Sequence, residues 1–180
     1  MAGVDSVTEP DALFVFIAVQ DEPYHFWVRV EPRPHGPQIA FVGYCPEYRV
    51  SFDVSSDDVT PDQITAHIGL SPTETREKGS SRLHGARPFP RNQWTLEPFA
   101  SQPGFLEDKL SRLFAVLATC RELVSTLPAT CSAQVSVMSY QWQAWPEGFH
   151  LSPEHLASLQ ALRASFDLDL YVGGPIEPAT

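Results

Sequence analysis

Positive charge is what this sequence has least of: 12 Lys and Arg stand against 22 Asp and Glu, a formal net charge of -10. Nucleic acid is gripped by clustered cations, so it is not an expected partner, and a basic protein is the easier match. Cysteine is scarce too. Cys45, Cys120 and Cys131 are odd in number, far apart and without a CxxC pair, which argues against a disulfide framework or a zinc site and for reduced thiols in a cytoplasmic protein. Long apolar runs are also missing. No Lys or Arg precedes the run Leu13 to Val19, whereas a secretory signal wants a positive start, and a stretch that short cannot span a bilayer, so neither export nor membrane association is expected. The chain has no GxxxxGK[ST] loop, nucleophile elbow or paired-acid motif, so no catalytic residue, metal or cofactor is assigned and a non-enzymatic role is favoured.

What is present suffices for a folded domain. Hydrophobic residues make up 43% and aromatics 11% of 180 residues, a composition and length suited to one domain with a full core. Residues 1–47 read as an N-terminal β extension, 48–172 as an α+β core and 173–180 as a tail.

Within the extension, Leu13 to Val19, Tyr24 to Val30 and Gln38 to Tyr44 are β-branched and aromatic runs separated by turn residues, the pattern of a meander. From Tyr48, apolar Tyr48, Val50, Phe52 and Val54 alternate with Arg49, Ser51 and Asp53, as in a half-buried strand. Two helix starts follow a common recipe, Thr60-Pro61-Asp62-Gln63 and Ser152-Pro153-Glu154-His155: a capping hydroxyl, proline at the first helical position and an acid near the positive end of the dipole. Thr60 with Gln63 also fits a capping box. Gly69 stops the first helix. Leu106, Leu110, Leu113, Leu117, Cys120 and Val124 predict one long helix ending at Pro128, and Leu156, Leu159 and Leu162 the apolar side of the last one. Ser132 to Met138 and Phe166 to Val172 alternate as strands, the latter with Phe166, Leu168 and Leu170 inward. This order predicts an antiparallel or mixed sheet with helices packed on one face, of ferredoxin-like flavour.

The strand Tyr48-Arg49-Val50-Ser51-Phe52, the helix from Pro61 to Ile68-Gly69-Leu70, Ser71-Pro72-Thr73, Lys78-Gly79, Trp94, the long helix, Leu151-Ser152-Pro153-Glu154 and Asp167-Leu168-Asp169-Leu170-Tyr171 together carry a resemblance. In their order and spacing, over residues 48–172, the chain resembles the uncharacterised bacterial family called domain of unknown function 4279. The resemblance implies a small α+β domain and no known catalytic residues.

Two clusters are candidate sites. Arg76, Lys78, Arg82, Arg87 and Arg91 form a basic island in an acidic chain, able to clamp a phosphate or carboxylate, with Trp94 as a stacking wall, although a Trp at the centre of a strand more often anchors a core. Opposing this are a solvated loop and one tethered to the molecule's own acidic surface. Tyr140, Trp142, Trp145 and Phe149 form an aromatic segment suited to a partner interface, or equally to a lid over the core. Asp53, Asp167 and Asp169 could bind a hard cation only if neighbouring strands bring them together. The expected function is a non-catalytic soluble interaction protein, in one form an immunity or inhibitor protein for a basic partner; the alternative is a small-anion or nucleotide-binding protein or enzyme using residues 76–91.

Overall fold

The structure, a computed structural model, describes residues 4–9, 12–19, 24–81, 87–100, 102–142 and 148–173. Its strands are β1 Val4–Glu9, β2 Ala12–Ala18, β3 Tyr24–Glu31, β4 Gln38–Ser56, β5 Glu74–Arg76, β6 Asn92–Leu96, β7 Cys131–Trp142 and β8 Ser165–Gly173. Its helices are α1 Pro61–Ile68, α2 Leu106–Ala118, α3 Arg121–Ser125 and α4 Pro153–Leu162. The α+β class with an N-terminal meander is as expected. No described helix is long and apolar enough to cross a membrane.

The organising element is β4, 19 residues long. The sequence suggested two strands broken near Pro46, but one strand runs through it because β4 changes partner there. Residues 38–46 pair with β3 and residues 47–56 with β7, while residues 52–56 also pair with β6. A proline is tolerated where one ladder ends and the next begins, since its missing N–H interrupts neither. Beyond the meander the strands lie in the order β5-β6-β4-β7-β8, and only β7 and β8 are parallel. A parallel pair needs a crossover connection, which α4 supplies. The ferredoxin-like flavour is not confirmed by this order.

Alternation along β4 sends Tyr48, Val50, Phe52 and Val54 into the core with Trp94, Val135 and Val137. Leu106, Leu110, Leu113 and Leu117 of α2 and Leu159 and Leu162 of α4 close that core from the helix side. Both capped starts are realised. Thr60 Oγ1 accepts from the Gln63 N–H while the Gln63 side chain accepts from the Thr60 N–H, and Gly69 ends α1 with φ 78°. At α4 the reciprocal partner is His155, whose Nδ1 accepts from the Ser152 N–H at 3.3 Å. That leaves the proton on Nε2, which lies 2.8 Å from the Ser111 hydroxyl.

Several sequence expectations need correction. The expected long helix breaks between α2 and α3, where the Thr119 hydroxyl donates to the Val116 carbonyl at 2.8 Å and the last N–H groups reach back three residues instead of four. In α4 the inward stripe is His155, Leu159 and Leu162, which leaves Leu156 53% exposed. Leu170 of β8 is likewise exposed.

Candidate functional site

The basic island is tied to the molecule's own acids. Arg76 pairs with Glu74 and lies over the Phe89 ring at 5.3 Å, while Lys78 and Arg91 both reach Asp57, each at 3.3 Å. The segment is also partly a hairpin: the Gly79 N–H donates to the Phe89 carbonyl and the Phe89 N–H to the Ser80 carbonyl, both at 2.9 Å. Arg87 is exposed and Arg82 lies outside the described residues. Trp94 takes the core-anchoring role and not that of a wall. Its ring is 0% exposed, packs edge-on against Phe52 and donates from Nε1 to Thr65 Oγ1 at 3.0 Å, so it walls no surface site.

The aromatic segment divides. Tyr140 and Trp142 belong to the end of β7 rather than to a loop, and Tyr140 stacks on Tyr171 of β8 with ring centres 5.0 Å apart. Phe149 is exposed beside Phe166, and Trp145 lies outside the described residues.

The three aspartates share the polar face of the sheet without converging. Asp53 sits in the row Asp53–Gln134–Ser165, Asp167 in Ser51–Ser136–Asp167 and Asp169 in Arg49–Met138–Asp169, so β7 stands between the first and the others. Each of two has its own donors. Asp53 accepts from the Ser51 and Thr95 hydroxyls, and Asp167 from Gln134 Nε2. Among the described residues no group of three His, Cys, Asp or Glu is arranged to hold a metal ion.

Two features were not anticipated. The first is a surface. Cross-strand partners share a face, and one face of the meander consists of the rows Leu13–Val30–Ile39, Val15–Val28–Val42 and Ile17–Phe26–Tyr44, all apolar or aromatic. Tyr44 is buried at one end of this face, whereas Ile39 is 68% and Val42 55% exposed at the other. The opposite face carries Phe14, Phe16 and Trp27, which gather around Phe105 at the start of α2 with ring centres 5.4–5.8 Å apart. Both faces of the meander are therefore largely apolar, His25 and Arg29 being the polar members of the core-side face, and the core uses one. The sequence held this signal in the unbroken apolar run Leu13 to Val19, which marks a strand wanting cover on both sides.

The second is a cavity of about 270 Å³ at the seam between meander and core, lined by residues including His25, Glu47, Tyr48, Gln102, Gly104 and Lys109. Lys109 is 2% exposed and its Nζ donates to the Tyr48 carbonyl at 2.5 Å. Burial pushes its ammonium below the ordinary lysine value, opposed by the charges of Cys45 and Glu47. Burial also pushes the His25 imidazole below the ordinary histidine value, with Glu47 opposing and Lys109 assisting.

A histidine that prefers to be neutral when folded makes the unfolded state the greater proton binder, so stability rises with pH up to the ordinary histidine range and falls on acidification. Replacing His25 by Gln should flatten the slope of unfolding free energy against pH between about 5 and 7. Urea melts of the two proteins across that range measure it, and parallel slopes would remove His25 from the account.

The sequence profile of a protein family described as domain of unknown function (DUF4279) matches residues 46–173. The chain belongs to this family. The DUF4279 match begins at the Pro46 handover in β4 and ends with β8, so the meander lies outside it while the cavity straddles its boundary. No curated protein and no solved structure matches the chain significantly.

Proposed function

We propose that this DUF4279 protein is an interaction protein whose exposed meander face docks a second protein, one with an apolar patch ringed by Lys and Arg. The observation that carries the reading is the three-row apolar face with Ile39 and Val42 more than half exposed. A buried Ile or Val side chain is worth roughly 1.5–3 kcal/mol, which this face forgoes in the free protein, and contiguous exposed apolar surface of this kind marks contact sites. Charge supports the basic rim. Five acids, Asp5, Glu9, Asp11, Asp21 and Glu22, precede the first Arg or Lys of the chain, Arg29. Acidic complementarity would speed encounter and exclude acidic competitors. An immunity or inhibitor protein that masks a basic partner is the specific form favoured. The anion-clamp alternative has less support, because Arg76, Lys78 and Arg91 are occupied by Glu74 and Asp57 and Trp94 is inaccessible.

The test compares the full chain with the double variant Ile39→Asp, Val42→Asp as baits in extract of the native cells. Any stoichiometric partner is then purified and titrated by calorimetry at low and high salt. The expected result is a basic protein bound one to one, with affinity that falls with salt and drops at least about 30-fold in the variant. The variant itself should stay folded, since both positions are exposed and strand propensity spans only about 1 kcal/mol. Equal binding by the variant, an acidic partner, no complex, or a homodimer dispersed by the two aspartates would each overturn the reading.

A further inference from the structure

A lysine this deeply buried demands an explanation. Lys109 stands in the first turn of α2, where a cation meets the positive end of the helix dipole, and its neighbours Glu107 and Asp108 are the residues that suit such a position. Its ammonium has three donors, and Tyr48 takes one of them. Burying a charge with its hydrogen bonds incompletely met is costly. The cavity is where the remaining donors can be met, because Lys109 lines it.

Glu47 lines the same cavity and acts on Lys109 electrostatically, yet no salt bridge joins the two. Two opposite charges are thus held on the walls of one small cleft without neutralising each other by contact. His25 and Gln102 add neutral groups able to donate and accept hydrogen bonds, His25 remaining uncharged because burial and Lys109 disfavour its protonated form. A simple anion would meet Lys109 but be repelled by Glu47, and a simple cation the reverse. A molecule that carries both charges satisfies both walls.

We propose that the cleft lined by His25, Glu47, Gln102 and Lys109 binds a small amino-carboxylate, an amino acid or a compound of that zwitterionic class, with Lys109 holding its carboxylate and Glu47 its ammonium. The volume agrees, since about 270 Å³ lies just below the usual range of roughly 300–1,000 Å³ for small-molecule pockets and suits a ligand smaller than drug-sized molecules. The site joins the meander, through His25, to the DUF4279 core, through Glu47, Tyr48 and Lys109. It is independent of the docking face, which uses the other side of the same strands.

Thermal shift followed by calorimetry tests this on the full chain with the twenty amino acids, plain carboxylates such as acetate and lactate, ethylamine and inorganic phosphate. The expected result is stabilisation by one or more compounds bearing both groups and by none bearing one. Lys109→Met should abolish the response while remaining folded, since replacing a buried charge by an apolar residue of similar volume is often neutral or stabilising. Glu47→Gln, at a partly exposed position without a salt bridge, should weaken the zwitterion at least about tenfold, or about 1.4 kcal/mol. A flat response across the panel, stabilisation by phosphate or acetate as large as by any amino acid, or unchanged affinity in either variant would overturn the proposal.

Discussion

Trp94→Ala is expected to lower the unfolding free energy by about 3–5 kcal/mol, the usual cost of removing a large aromatic from a closed core. The indole is wholly inaccessible, meets Phe52 of β4 edge-on at 6.3 Å and donates its N–H to the Thr65 hydroxyl of α1. One side chain therefore joins β4, β6 and α1. Alanine leaves a void between them and strips Thr65 of its donor, so the transfer and cavity terms add to a lost hydrogen bond. In a chain of this size each kcal/mol moves the melting midpoint by roughly 2–4 °C, so a drop on the order of 10 °C should accompany the change. Urea unfolding followed by circular dichroism measures it. A loss under about 1 kcal/mol would mean that the core does not close around this ring.

The second large effect is expected at Gly43, on the meander side of the family boundary. A Cβ built there would fall 2.6 Å from Cε2 and Nε1 of Trp27, which pairs with Gly43 across β3 and β4. The indole lies against the bare backbone, donates from Nε1 to the Tyr44 carbonyl at 3.1 Å and meets Phe105 of the core at 5.4 Å. A methyl group or larger at 43 must displace it. Overpacking typically costs about 1–3 kcal/mol, and here the hydrogen bond to Tyr44 and the clasp on Phe105 go with it. Gly43→Val should therefore loosen the meander selectively: hydrogen exchange at β2 and β3 amides should accelerate more than at β6 and β7. Uniform acceleration, or none, would show that Trp27 is not the clasp.

Local signals were legible in the sequence wherever they rest on short-range chemistry. The caps at Thr60 and Ser152, the stop at Gly69 and the alternation from Tyr48 to Val54 all appear as read, because each depends on residues within a few positions of one another. Features set by remote partners were not legible. The runs ending at Tyr44 and starting at Tyr48 read as separate strands, because the division of β4 between β3 and β7 is set by the fold. His155 reads as a polar residue of the first helical turn, yet Ser111, 44 positions away, draws it inside. That the basic island is tethered to the chain's own acids was among the readings, but not which acid, because Asp57, which engages Lys78 and Arg91, lies in a different segment. Lys109 reads from the helical period as facing water, yet it is buried, since only the fold brings it beside His25 and Glu47.

The partition of β4 also bears on how the chain is made. Its first half finds β3 across a short turn, so the meander can pair as soon as those residues leave the ribosome, whereas Ser56 must wait for Cys131 and Glu47 for Tyr140. Local pairing precedes distant pairing because loop closure costs entropy before it returns contacts. During that interval neither apolar face of the nascent meander has the core to cover it. The acids Asp5, Glu9, Asp11, Asp21 and Glu22, with no Lys or Arg among residues 1–28, would then keep neighbouring nascent chains apart by repulsion while the rest of the sheet is still being translated.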